Sequence, residues 1–494
     1  MRQPNILWIC TDQQRWDTLS CRGDQGAVTP HIDALAEEGV RFDRAYCQSP
    51  ICTPSRSSFL TGTYPIANQV HRNGNDFYPA HHKLLPRLFE EAGYHTGLIG
   101  KLHLSRSNGK TEIRPPQDGY KEFYWSHHPD PDWEEGHDYH KWLDEKGADA
   151  HALYDKSRAI GPGVPADVHQ TTWAGERAGD FIERNRDKPW FLSINLFDPH
   201  PPFDPPAEYL DRFDAKDMPA PIFAPSDLAH QRSLDPVDHQ SRTPFDPRLG
   251  DPDSELYQST PLSVTTEGDH DTPPQFYNAK YIRACYQAMI ALIDDMVGDL
   301  MAKLKETGQL EDTLVIFMSD HGEMLGDHGL LYKGCRFYEG LVHVPLIVSW
   351  PQGVERGKVS QALVELVDIA PTLLDAAKLP VLAEMQGKSL LPLLSGKAPL
   401  DRHKPYVLSE YFDSLLYEGS RGSRASMYYD GRYKLSVYHD AGLGELFDLA
   451  EDPQEFDDLW NKPECAGLKC RLLGEHFNAM MRVSGIGPSR SSSF

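Results

Sequence analysis

A chain of 494 residues that is 39% hydrophobic and 25% charged has the make-up of a folded globular protein, long enough for two packed units or one large α/β domain with a smaller appendage. Its 49 Lys and Arg against 73 Asp and Glu leave a net charge of −24, which excludes nucleic acid and anionic membrane surfaces as partners but still admits a small anionic substrate in a locally cationic pocket. No apolar run is long enough to span a bilayer, the first twelve residues lack the features of a signal peptide, and the eight cysteines are scattered without a CxxC pair, so a cytoplasmic protein with buried thiols is expected.

The first element is NILWICT, residues 5–11, an apolar and β-branched run that reads as a buried strand and stops abruptly at Asp12. HIDALAEEG follows with helical spacing. The run SPICTPSRSSFLTGTYP begins at Ser49. Its proline restricts the backbone just before a helix start that Ser55, Arg56 and the hydroxyls behind them can cap. That places Cys52 near a helix N-terminus, where backbone N–H groups favour negative charge; a buried cysteine ahead of an ordinary helix fits the same residues. KLLPRLFEEAG then predicts a helix, and TGLIG a strand that runs into Lys101. AGERAGDFIERN predicts a helix, WFLSINLF a strand before Asp198, residues 278–307 a long helix, and TLVIFMS a strand before Asp320. Strands alternating with helices predict an α/β fold, a large mostly parallel sheet sandwiched by helices, with ligand sites at the carboxyl ends of its strands.

Residues 105–165 and 201–275 are rich in Pro, Asp, His and aromatics with weak periodicity, and read as insertions: lids, binding surfaces or plain surface loops. A helix is expected around 368–377. From about Lys404 the runs YVLSEYF, ASMYYD, YKLSVYH and ELFDL predict a small antiparallel sheet, followed by a helix near 469–483. The expected organisation is a larger α/β unit over 1–380 and a smaller C-terminal α+β unit over 381–494, ending in a frayed SRSSSF tail.

Asp12 with Gln13, and Asp320 with His321, each follow a predicted strand and can converge at one sheet edge. Two carboxylates, an amide oxygen and an imidazole suit a divalent cation, Ca²⁺ or Mg²⁺ before zinc, with Mn²⁺ admitted by the imidazole. A lone Asp after a strand also reads as a turn or cap.

CTPSRSSFLTGTYP resembles the first signature of the type I sulfatases, in the alkaline phosphatase-like superfamily, and GYHTGLIGKLH, from Gly93 to His103, resembles the second. SDHGEMLGDHGLLYKG and ELFDLAEDPQEFDDLW resemble further segments of that family, so the likeness spans nearly the whole chain. It implies that a formylglycine-generating maturation enzyme oxidises Cys52, that one hydroxyl of the hydrated aldehyde attacks sulfur, and that the second later expels sulfate by regenerating the aldehyde. It implies a metal shell of Asp12, Gln13, Asp320, His321 and the modified Cys52, with Ca²⁺ as the first choice. Arg56 would hold the nucleophile, Lys101 and Lys333 the sulfate oxygens. His103 would manage the gem-diol proton, His200 would protonate the leaving alcohol, and Asn73 would orient substrate or simply build a turn.

Gln13 and His321 stand where many sulfatases have Asp and Asn. With FDPHPPF they resemble the related phosphonate monoester hydrolases, whereas Lys101 and His103 are the sulfatase choice. The expected activity is hydrolysis of a small-molecule or sugar sulfate ester; a phosphonate monoester or phosphodiester hydrolase comes second, and a catalytically silent anion- or partner-binding member third. A homo-oligomer in which the C-terminal tail reaches a neighbour is compatible with the sequence.

Overall fold

The computed structural model describes residues 3–23, 26–79, 82–129, 136–154, 159–238, 243–259, 273–415 and 422–485. Fifteen strands occur among them. β1 (Asn5–Thr11), β2 (Gly39–Phe42), β3 (Ala45–Tyr46), β4 (His95–Gly100), β5 (Glu122–Trp125), β6 (Trp190–Asn195) and β7 (Thr313–Ser319) come first. β8 (His343–Val344), β9 (Leu346–Ser349), β10 (Lys358–Ser360) and β11 (Val364–Glu365) follow, and β12 (Val407–Phe412), β13 (Arg424–Tyr429), β14 (Tyr433–His439) and β15 (Leu443–Asp448) close the series.

An eight-stranded sheet has the order β10-β2-β9-β7-β1-β6-β4-β5, and every strand in it but β9 runs parallel to the others. The period of two along β1 sends Ile6, Trp8 and Cys10 to one face and Leu7 and Ile9 to the other, and all five are fully buried. The first face packs on Phe59 and Leu60 of the Cys52–Thr61 helix, Phe89 of the Leu85–Glu91 helix and Leu373 of the Ile369–Ala376 helix. The second is covered by Ile32 and Leu35 of the Pro30–Glu37 helix, Trp173 and Phe181 of the Gln170–Arg184 helix, and Ile293 and Val297 of the 28-residue Ala279–Glu306 helix. This is the helix-sandwiched parallel sheet that the alternation predicts.

β12 to β15 form an antiparallel four-stranded sheet in sequential order, with Leu408, Leu435 and Leu446 packed on Leu472 and Ala479 of the Ala466–Val483 helix. The other face of this sheet is continuous with the main core, where Met427, Tyr438 and Phe447 share one cluster with Trp8 and Phe59. β5, inside the first weakly periodic stretch, is the edge strand of the main sheet and pairs with β4. The second stretch carries short helices at Ala207–Leu210, Pro225–Ser233 and Glu255–Ser259. The expected tail SRSSSF lies outside the described residues. No described helix is long and apolar enough to cross a membrane.

One local expectation is corrected. The signature helix begins at Cys52 itself, with Ile51 as an N-cap that makes no side-chain capping bond, so Pro54 lies within the first turn instead of ahead of it. Ser55 and Arg56 therefore do not cap the helix. Their side chains are released to the sheet edge.

Candidate active site

β1 and β7 are parallel neighbours with Thr11 opposite Ser319, so Asp12 and Asp320 leave the sheet side by side. Gln13, at φ 67°, turns sharply in the left-handed region. Its backbone N–H donates to Asp320 Oδ1 at 3.0 Å, and the His321 N–H donates to the same oxygen at 2.9 Å. Both bonds to Oδ1 thus come from the backbone.

The Cys52–Thr61 helix points its N-terminus at this edge. Ser55 Oγ donates to the Asp320 carbonyl at 2.6 Å. The Arg56 guanidinium donates from Nε to Asp320 Oδ2 at 2.9 Å, from Nη2 to Asp12 Oδ2 at 3.2 Å and from Nη1 to the Lys101 carbonyl at 2.9 Å. Lys101 Nζ lies 2.5 Å from Asp12 Oδ2. Two buried carboxylates side by side repel, and the Arg56 fork together with Lys101 compensates them. Burial alone would raise the Asp12 pKa, but Lys101, His200, Arg56 and Lys333 hold it well below the ordinary carboxylate range.

The Cys52 thiol faces this polar cluster, not apolar packing. Sγ lies 3.1 Å from His321 Nε2, 3.1 Å from Lys333 Nζ, 3.6 Å from Asp12 Oδ1 and 3.9 Å from Lys101 Nζ. Burial and Asp12 push its pKa up, and Lys101, Lys333 and His321 outweigh them, leaving it below that of a free thiol. His321 Nδ1 donates to the Gly322 carbonyl at 2.9 Å, so Nε2 is the ring nitrogen that faces the cluster. One ligand atom each from Asp12, Cys52, Asp320 and His321 lie within 4.8 Å of one another, all buried. Gln13 Nε2 donates to Glu323, which turns Oε1 toward the site, where it accepts from Lys333 Nζ at 2.7 Å. Two carboxylates, an amide oxygen and an imidazole nitrogen of the correct tautomer are a donor set that fits a divalent cation.

Beside the cluster lie imidazole and aromatic rings. His200 Nδ1 donates to the Pro201 carbonyl at 2.7 Å, and its Nε2 accepts from Lys333 Nζ at 2.9 Å. Burial and then the Lys333 charge push the His200 pKa down. The His128 ring stands 5.5 Å from that of His200, Phe197 is 4.7 Å from both, and the His103 ring is 4.6 Å from that of His127. Burial, Lys101 and Arg56 lower the His103 pKa. Asn73 Oδ1 accepts from the Thr53 N–H at 3.1 Å and so caps the signature helix from outside it.

All the residues singled out in the sequence thus meet at one edge of the sheet or support it. Sequence reasoning misses Glu323 and Glu112. Glu323 accepts from Gln13 on one oxygen and from the backbone N–H groups of Leu325 and Tyr332 on the other. Its only sequence mark is its place in SDHGE, three residues after Asp320. Glu112, which supports the loop carrying His103, bears no mark at all.

The parallel sheet, with paired carboxylates, an imidazole and a helix N-terminus at its carboxyl edge, is the framework of an alkaline phosphatase-like hydrolase. Within that superfamily the chain belongs to the sulfatase family of sulfuric ester hydrolases: the Sulfatase family model matches residues 4–379, and that for the C-terminal part of N-sulphoglucosamine sulphohydrolase matches 326–481. An arylsulfatase of Clostridium perfringens is 30% identical over 480 residues, covering 94% of this chain and 91% of its own. An N-acetylglucosamine-6-O-sulfatase of Bacteroides thetaiotaomicron is 28% identical, with 96% and 85% covered. Among solved structures, the phosphonate monoester hydrolase of Silicibacter pomeroyi superposes with a TM-score of 0.79 at 27% identity, covering 97% of this chain and 96% of its own.

Proposed function

We propose that this enzyme cleaves an organic sulfate ester at position 52, with Cys52 matured to formylglycine by a separate maturation enzyme and a divalent cation, calcium first, held by Asp12, Gln13, Asp320, His321 and the matured side chain. The observation that carries this reading is the aim of Cys52: a buried thiol on the first residue of a helix, 3.1 Å from both His321 Nε2 and Lys333 Nζ. When present, the hydrated aldehyde and the cation together supply an oxygen nucleophile at neutral pH. Arg56 keeps the two carboxylates paired and position 52 in place. Lys101 and Lys333 flank the sulfur position and take the sulfate oxygens, whose charge grows in the transition state. With Nδ1–H on the Pro201 carbonyl and Nε2 accepting from Lys333, resting His200 carries no proton at Nε2. An anionic ester offsets the Lys333 charge that, after burial, disfavours the imidazolium, so His200 takes up a proton from solvent at Nε2 as the ester binds and then gives it to the leaving alcohol. His103 manages the proton of the second hydroxyl. Asn73, its Oδ1 occupied by Thr53, has its Nδ2 hydrogens to offer a substrate oxygen. The arylsulfatase and sugar-sulfatase relatives support an aryl or sugar sulfate as substrate class.

A second reading keeps the machinery and changes the substrate to a phosphonate monoester or phosphodiester. It is favoured by Gln13 and His321 in the metal shell and by the likeness to the Silicibacter pomeroyi hydrolase. The test is coexpression with a maturation enzyme, intact mass, and kcat/KM on matched nitrophenyl sulfate, phosphonate and phosphodiester substrates. The formylglycine mass change, sulfate preference and loss of turnover in Cys52→Ala are expected. Full turnover in Cys52→Ala refutes the nucleophile; a preference for phosphorus moves the second reading to first. An unmodified thiol after coexpression favours a catalytically silent, anion-binding member. Chelation is expected to remove turnover and added Ca²⁺ to restore it better than Mg²⁺ or Mn²⁺.

A further inference from the structure

His103 sits in an unusual backbone state. Its φ is 55°, in the left-handed region, which a residue with a Cβ enters only when its surroundings offset the strain. Two groups hold it there. Thr53 Oγ1, on the second residue of the Cys52–Thr61 helix, donates to the His103 carbonyl at 2.9 Å. On the other side, the Glu112 carboxylate accepts three successive backbone N–H groups: His103 on Oε2 at 2.7 Å, and Leu104 and Ser105 on Oε1 at 2.6 and 3.3 Å. Successive N–H groups converging on one anion form a nest, and here the anion is a side chain of the same chain. Glu112 is buried and arrives on a short hairpin, closed by Ile113 N–H to the Arg106 carbonyl at 3.0 Å and Asn108 N–H to the Thr111 carbonyl at 3.1 Å, and tied to the chain after Asn73 by Arg106 N–H to the Asn75 carbonyl at 2.8 Å. The Thr53 bond sets His103 against the residue that follows Cys52 at the start of the helix.

We propose that Glu112 is a positioning residue for His103, its carboxylate holding the 103–105 turn in the conformation that presents the imidazole to position 52. This deepens the reading above, on which it rests, that His103 moves a proton there. In Glu112→Gln one oxygen becomes an NH₂ group, which must face an N–H donor of the nest: either His103 or the pair Leu104 and Ser105 loses its acceptor.

The test is a double-mutant cycle on the matured, metal-loaded full chain, with kcat and KM on 4-nitrophenyl sulfate for the parent, Glu112→Gln, His103→Ala and the double variant, and thermal melting of each. If the phosphorus reading prevails, a nitrophenyl phosphonate replaces the sulfate. Glu112→Gln is expected to lower kcat roughly 10- to 100-fold, the scale of a displaced catalytic group, with KM shifted less than about threefold. In the His103→Ala background the same change is expected to cost nothing further. Equal fold-losses with and without His103 overturn the proposal, because they mark a structural role indifferent to the imidazole. An undiminished kcat in His103→Ala overturns the reading beneath it, and the proposal with it. Should the Gln variant not fold, Glu112→Asp, shorter by one methylene and unable to span the nest, takes its place in the cycle, and the same two results overturn the same two claims.

Discussion

Gln13 has two faces with opposite demands. Its Nε2 must donate to the buried Glu323 carboxylate, and its Oε1 must accept from Lys333. Only an amide of this length does both, which explains why a carboxylate does not stand here even though it would bind a cation more tightly. Gln13→Glu sets carboxylate against carboxylate in a buried place and is expected to lower stability by about 1–3 kcal/mol. Glu323→Gln in the same chain restores the donor and is expected to recover most of that loss, read as thermal midpoints of the four-cornered cycle. This pairing also marks the limit of what the residues disclose unaided. Asp12, Cys52, Lys101 and Asp320 are legible because each ends a strand or opens a helix, in a motif that carries its own chemistry. Glu323 meets Gln13 across 310 positions, and Glu112 serves backbone N–H groups that any residue but proline possesses, so neither bond leaves a pattern in the chain.

At the scale of elements, long periodic segments are legible and short ones are not. NILWICT and TLVIFMS are seven-residue strands buried along their whole length, and their bounds coincide with β1 and β7. β3, β8 and β11 have two residues each and exist only because a neighbouring strand pairs with them, so no periodicity announces them. The start of the signature helix is hidden for a related reason. Its hydroxyls suggest self-capping, whereas the Thr53 N–H is satisfied by Asn73, twenty residues on. Asn73→Ala is therefore expected to cost about 1 kcal/mol, the usual loss of a capping acceptor, and Asn73→Asp to retain most of it. Denaturant midpoints of the two variants check this, with a preserved midpoint in Asn73→Ala counting against the cap.

Over the whole molecule, the C-terminal sheet is joined to the main body by buried charge as well as by shared core. Lys434 of β14 pairs with Glu339 at 3.0 Å and with Glu455, and Lys404 reaches Glu365 and Asp368 at 2.6 Å each. Removing one partner of such a buried pair is costly, because it leaves the other charge uncompensated at the seam. Glu410 of β12 lies at the same seam, its N–H donating to the Gln48 carbonyl at 2.8 Å, four residues before Cys52. Burial, helped by the nearby Glu365 charge, pushes its carboxyl from 4.5 up to about 8. The unfolded chain releases this proton near the lower value and the folded chain near the higher, so between them the folded state binds more protons and stability falls as pH rises. Glu410→Gln is neutral at every pH and removes that dependence. The variant is expected to melt close to the parent at about pH 5 and above it at about pH 8, the gap opening through the interval at up to about 1.4 kcal/mol per pH unit. Melting curves of both proteins across that range decide it: a gap that stays constant with pH shows that Glu410 does not carry its proton at the seam.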